Sequence, residues 1–429
     1  MSSKHKKKRP VKPAASQPDA STAAAETVIA DTATPKPASA AKTVKPYYAG
    51  IDILKILAAL FVVGIHTFLY DGFYDARIQD GDTQFIVPIA FRWVFYSCVP
   101  IFMTITGYLM KNKKISAKYY TGLIRIIVIY IFIGILCLRA DHVVFGFQYE
   151  KWAILRRYLE YNAATYGWYV NYYIAIFCMI PFLNMAFNGL ENRKQRTVLL
   201  VTICLFTTFA TALFIGREKD DQIRVLPSYL TGMWPLAYYY VGAYIREYPP
   251  KKCILNKLLV LAVLVADVAY ITLDSYSNTI AETNAENNYR LTSWHYNDYS
   301  TWPVFIIAVC IFLLLFDITT TKKTVKFVLQ QLSGATYALF LISYVFDRKV
   351  YGQYGMRFPS VHNEETGEWV WQMDRFTHSW QPLLYVFLHS MFWALVITNV
   401  YKLLEYLIKK GIAAIPRRPK NIKAKPAAQ

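Results

Sequence analysis

Six cysteines in 429 residues give no disulfide framework. They are Cys98, Cys137, Cys178, Cys204, Cys253 and Cys310, with no CxxC pair, so a cysteine zinc site is also disfavoured. There is no GxSxG elbow, Walker loop, HExxH pair or GxGxxG phosphate loop. No internal repeat stands out, which speaks against inverted-repeat transporter folds. Large apolar residues are almost missing from residues 1–46, which are rich in Lys, Ala, Pro and Thr. That stretch reads as a disordered basic tail, a solvated tether that can also touch anionic lipid. It is not a signal peptide, because no apolar core follows its basic cluster.

The rest of the chain is apolar. Hydrophobic residues make up 55% of it, and its mean hydropathy is +0.24. Ten apolar runs read as membrane spans: roughly 49–70, 86–110, 119–138, 167–187, 197–215, 227–245, 254–273, 302–317, 333–350 and 381–407. The expectation is an all-α polytopic bundle over 47–410, with a second basic tail at 411–429. The net charge of +19 does not point to nucleic acid. Much of it lies in the two tails, and the rest in short even-numbered connections: Lys111, Lys113, Lys114 and Lys118; Arg193, Lys194 and Arg196; Arg246, Lys251, Lys252 and Lys257; Lys322, Lys323 and Lys326. Odd-numbered connections are acidic or mixed, with Asp71, Asp75, Asp80 and Asp82 after the first span and Asp274, Glu282, Glu286 and Asp298 after the seventh. The positive-inside rule then puts both termini in the cytoplasm. The bilayer itself is the first partner the sequence implies.

The first span, IDILKILAALFVVGIHT, carries Asp52, Lys55 and His66. A charge near the bilayer centre costs about 2.5–3.5 kcal/mol on the mildest insertion scales. Lys55 and His66 are eleven residues apart, so they lie within about 20° of each other around a helix and roughly 16 Å apart along it. Asp52 is close enough to pair with Lys55. Ala58, Ala59 and Val62 between them are small. The face reads as an ion pair at the cytoplasmic surface, a small-residue track, and an imidazole toward the outer leaflet. Lys55 can also be read as snorkelling at the surface, and His66 as a satisfied core histidine. HTFLYD, from His66 to Asp71, fits an HxxxxD acyltransferase pattern, but five helical steps put Asp71 about 140° away from His66.

A lysine, ten residues and a histidine in the first span resemble the bacterial acyltransferase-3 family of integral membrane O-acyltransferases, whose usual pattern has arginine at the first place. RWVFYSCVPIFMTITGYLM (92–110) is similar to the family's second span, with Arg92, Pro100, Phe102, Thr106, Gly107 and Tyr108 at its places. YYTGLIRIIVIY (119–130), with Arg125, resembles the third. YGWYVNYYIAIFCMIPFL (166–183), with Trp168 and Pro181, resembles the fourth. LSGATYALFLIS (332–343) resembles the ninth but ends in Ser343, where the family usually has a histidine.

The resemblance implies ten spans, cytoplasmic termini and a place in the bacterial plasma membrane. It implies transfer of an acyl group, usually acetyl, from cytoplasmic acyl-CoA to a hydroxyl of a cell-surface glycan or glycolipid, with no metal. His66 holds the family's catalytic position. As a neutral imidazole it can remove the hydroxyl proton, or it can carry the acyl group itself. Lys55 and Arg125 are candidates for the CoA phosphates, with the pantetheine arm lying along the small-residue track. Arg92 can stabilise the oxyanion or snorkel at the outer leaflet. Asp267 and His389 are candidates to orient His66. The outer-loop aromatics Trp294, Tyr296, Trp302, Trp369, Trp371 and Trp380 read as an interfacial belt or as a sugar-stacking platform. The competing functions are a transporter or flippase for a lipid-linked sugar or small solute, a scaffolding membrane protein, and a membrane domain like those fused to amino-acid racemases. The topology is testable. In a background without native cysteines, Lys113→Cys should stay unlabelled by an impermeant thiol reagent from outside, whereas cysteines within 274–300 should react. Outside labelling at position 113 would overturn the ten-span arrangement.

Overall fold

In the computed structural model the described residues are 47–75, 81, 83–210, 213–214, 222–223, 226–286, 295–353, 360–365, 368–371 and 380–414. The first tail, with the expectation of disorder for it, lies outside them; the second is described only to Ala414, where it continues the last helix. The expected all-α bundle is what forms. The helices are α1 (Gly50–Tyr70), α2 (Ile86–Tyr96), α3 (Cys98–Met110), α4 (Ala117–Tyr120), α5 (Gly122–Val143), α6 (Lys151–Leu159), α7 (Trp168–Gly189), α8 (Arg193–Thr207), α9 (Trp234–Glu247), α10 (Ile254–Glu286), α11 (Trp302–Leu315), α12 (Lys323–Asp347) and α13 (Trp380–Ala414). Among the described residues strand is confined to three two-stranded pairs.

Each of the ten apolar runs forms helix, but only seven of the described helices are long and apolar enough to cross a membrane. The runs at 197–215, 227–245 and 302–317 give α8, α9 and α11, of 15, 14 and 14 residues. At about 1.5 Å per residue these helices reach roughly 21–22 Å, short of a hydrocarbon core of about 30 Å. These runs also include turns: α8 stops at Thr207, and a 3-10 turn, Ser228–Met233, precedes α9.

The helix α1 is central, packing against α2, α3, α11, α12 and α13. Leu54, Ala58, Ala59, Val62 and Val63 are almost wholly buried on it. The small-residue stripe therefore serves close packing and is not an open track for a substrate arm. The start of α1 is pinned to the end of α11. Tyr47–Tyr48 pairs antiparallel with Thr319–Thr320, and the Gly50 N–H donates to the Ile318 carbonyl at 3.0 Å.

Close approach also joins α3 to α9. A Cβ on Gly107 would collide with the Tyr239 carbonyl oxygen, and one on Gly242 with that of Thr104. Lipid gives no hydrophobic drive for helix pairing, so small residues that let backbones touch carry the packing. At the same end, Glu247 accepts from Lys111, and from Arg196 at 3.0 Å. The hydrogen bond from Lys111 holds the Glu247 carboxyl below the usual carboxylate range.

Two prolines shape the spans. Pro100 has no N–H and its ring crowds the carbonyl four residues back, so the second span breaks between α2 and α3 at Ser97. Pro181 sits inside α7 and leaves the Phe177 carbonyl without its helical donor. The Tyr119 hydroxyl supplies that donor at 2.5 Å, and its ring stacks on Phe177 at 4.4 Å. A freed backbone group in a membrane helix is tolerated when a neighbour satisfies it in this way. Tyr119→Phe should lower stability by about 1–3 kcal/mol, as expected for a buried acceptor left without a donor. In a Pro181→Ala background, where the restored backbone N–H can serve Phe177, the same change should cost less than half as much. Thermal unfolding in detergent measures both, and equal losses in the two backgrounds would refute the account.

Candidate active site

His66 lies one turn before the end of α1. Its ring is nearly parallel to that of Tyr166, with centroids 3.6 Å apart and planes 7° from each other. The residue as a whole is half-buried. Its Nδ1 is buried, with no hydrogen-bond partner among the described residues.

Tyr166 is set by a 3-10 turn, Thr165–Gly167, that leads into α7. Gly167 is needed there, because a Cβ would collide with the Tyr161 carbonyl oxygen. The Tyr166 hydroxyl donates to Asp347 Oδ2 at 2.7 Å. Asp347 is the last residue of α12 and is wholly buried, and its other oxygen has no partner among the described residues.

A second group of polar side chains backs this pair. Tyr344, one turn earlier on α12, meets Tyr166 edge-on at 5.7 Å and donates to Asp141 Oδ1 at 3.0 Å. Tyr149 donates to the other Asp141 oxygen at 3.1 Å, and Arg348 donates to the Tyr344 hydroxyl at 2.7 Å. Tyr351 donates to Thr67 Oγ1 at 3.0 Å and so ties the chain after α12 to the residue beside His66. Helices α1, α5 and α12 and the turn before α7 thus converge on one imidazole.

At the other end of α1, Lys55 Nζ lies 3.4 Å from Asp52 Oδ1, and Ser333 donates to the same oxygen at 2.6 Å. Lys55 and Arg125 line one cavity of about 390 Å³. Its walls include Ser333, Thr336 and Thr106, and the rings of Tyr169, Tyr173 and Phe340. The cavity runs along α3, α5, α7 and α12, away from the buried alanines of α1. Its aromatic wall reaches toward the imidazole. Phe340 and Tyr169 pack edge-on at 5.6 Å, and Phe340 lies 6.5 Å from Tyr166. The cavity volume falls in the range of small-molecule sites, about 300–1,000 Å³.

The remaining candidates stand elsewhere. Arg92 is buried; its Nε donates to the Tyr74 hydroxyl at 3.0 Å, another nitrogen donates to Asn297, and its guanidinium lies 4.4 Å over both Trp93 and Tyr96. None of these contacts is with His66, Tyr166 or Asp347. Asp267 is buried on α10 and both its oxygens lack a partner among the described residues, so it does not bond His66. His389 faces outward on α13, bonds the Tyr385 carbonyl oxygen at 2.8 Å and stacks on that ring. It therefore does not orient His66. Asp71 accepts from the Phe73 N–H at 2.8 Å, in keeping with the rejection of the HxxxxD pattern. Tyr296 is packed between Tyr270 and Trp302 and is no open platform. Trp294 lies outside the described residues.

Two residues of this site carry no expectation from the sequence, Tyr166 and Asp347. Asp347 falls inside the ninth apolar run, and a carboxylate inside a span is itself a signal. Tyr166 is one of 34 tyrosines and gives none.

The sequence model of the acyltransferase-3 family, described as an acyltransferase domain, matches residues 48–398. No curated protein and no solved structure is similar enough to match. The matched range takes in α1 to α12 and most of α13, and with them the His66 stack and the Lys55–Arg125 cavity; the chain belongs to the acyltransferase-3 family of membrane acyltransferases.

Proposed function

We propose that the protein moves an acyl group, acetyl in the simplest case, from cytoplasmic acyl-CoA to a hydroxyl of a cell-surface glycan or glycolipid across the bacterial plasma membrane. The observation that carries this reading is the cavity with Lys55 and Arg125 at its rim and an aromatic wall leading to the ring under His66. Its two cations suit the phosphates of the donor. Lysine acts on phosphate as a point charge and arginine as a bidentate donor. Ser333 helps to satisfy Asp52, so the Lys55 ammonium keeps donors to spare. The narrow pantetheine arm fits between Phe102, Ile105, Tyr169 and Phe340, and carries the thioester toward the outer half of α1.

A sugar hydroxyl is a poor nucleophile at neutral pH. A neutral Nε2 of His66 can accept the hydroxyl proton as the oxygen attacks the thioester carbon. The same nitrogen can instead take the acyl group and pass it on. In either route a positive imidazole ring appears, and Tyr166 lies under it. The described hydrogen bonds of Arg92 are to Tyr74 and Asn297.

The test is purified protein in lipid vesicles with labelled acyl-CoA and envelope glycan. His66→Ala should cut transfer by about 100-fold or more, the usual worth of a positioned base, while the protein still inserts; near-normal transfer would remove His66 from the mechanism. Lys55→Arg should keep most activity. Lys55→Ala should raise KM for acyl-CoA about tenfold or more with little change in kcat, in line with a lost charge-assisted hydrogen bond of about 1.5–3 kcal/mol. Unchanged KM with collapsed kcat would rule out a donor anchor.

A further inference from the structure

We infer that Tyr166 and Asp347 are positioning residues for His66, the tyrosine ring serving as a fixed face for the charge the imidazole acquires. This rests on the transfer reading above, and goes beyond it in assigning the two residues a role.

The geometry of the stack is the first ground. Two neutral rings prefer an offset or edge-on arrangement, because their faces are both electron-rich. His66 and Tyr166 lie almost face to face, at 3.6 Å and 7°. That arrangement suits a cation over a π face. His66 becomes such a cation when it takes a proton or an acyl group, so the face is in place before the charge forms, as preorganised electrostatic catalysis requires.

The second ground is Asp347. It is wholly buried, with one oxygen on the Tyr166 hydroxyl and the other without a partner among the described residues. A packing role alone would be served by an apolar or amide side chain without a half-satisfied carboxyl in the membrane interior. The bond to Asp347 fixes the phenol at one end and pushes electron density into the ring. The other charged and titratable groups around the pair are Tyr70 on α1, Asp141 on α5, and Tyr344, Arg348 and Tyr351 on α12 and just after it. Asp141 is taken up by Tyr149 and Tyr344, and Arg348 donates to Tyr344. Asp347 is thus the carboxylate that the Tyr166 phenol engages directly.

The test uses the full-length protein in vesicles and two readouts. Tyr166→Phe keeps the ring and loses the bond to Asp347, and Asp347→Asn keeps the shape and loses the carboxyl group. Each should lower kcat about tenfold with KM for acyl-CoA and acceptor unchanged. The double variant should be no worse than the poorer single one, because the two residues act as a unit. Tyr166→Leu, which removes the face, should lose about 100-fold. The second readout is the rate at which diethyl pyrocarbonate acylates His66, followed by peptide mass spectrometry. It needs no transferase activity. The rate should fall about fivefold in Tyr166→Phe and Asp347→Asn. If wild-type protein transfers nothing, the transfer reading fails and the labelling rate still decides the role of the pair. Labelling in both variants as fast as wild type or faster, or a KM effect with unchanged kcat, would overturn the inference.

Discussion

A lipid interior offers no water to a polar group, so each one must be satisfied by protein or be left open for a reactant. Much of this structure follows from that constraint. The Phe177 carbonyl, freed by Pro181, is met by Tyr119. Asp52 is met by Ser333 and Lys55. Asn184 spreads its amide over the Met110 and Lys113 carbonyls and accepts from Tyr239. Other buried groups lack a partner among the described residues, both oxygens of Asp267 included; two of them, one oxygen of Asp347 and Nδ1 of His66, lie on either side of a single ring, Tyr166.

The central position of α1 links the two ends of the proposed reaction. Its first turns hold Lys55 on the lining of a cavity, and its last turns hold His66, roughly 16 Å further along. The helix cannot shift easily between them. Gly50 is pressed against the end of α11, and Tyr351 holds Thr67 beside His66. Rigid mounting of this kind is what a site needs to keep a base within hydrogen-bond reach of a hydroxyl. The cavity is lined by residues of α3, α5, α7 and α12 as well as Lys55, whereas the alanines that look like a track are used to pack the helix.

Much of this was legible in the sequence. Long apolar runs located the helices, and an imidazole eleven residues from a lysine marked the face of α1. Lys55 could be named because charges inside a span are rare, and Arg125 from the resemblance of residues 119–130 to the family's third span. The shortness of α8, α9 and α11 was not legible, because hydropathy does not distinguish a helix from an apolar turn that continues it. Asp347 and Tyr166 are 181 residues apart in sequence, and no periodicity connects them. Arg92 reads as an active-site cation from its motif, yet its described contacts are to Tyr74, Asn297, Trp93 and Tyr96. Sequence position could not tell which side of α2 it would serve.

The most direct measurement is the content of base-labile acyl esters on cell-surface glycans in a strain lacking the gene and in the same strain with the gene restored. The account predicts that a specific ester disappears with the gene and returns with it. Unchanged esters accompanied by a defect in solute or lipid-linked sugar movement would contradict acyl transfer as the function and favour a transporter.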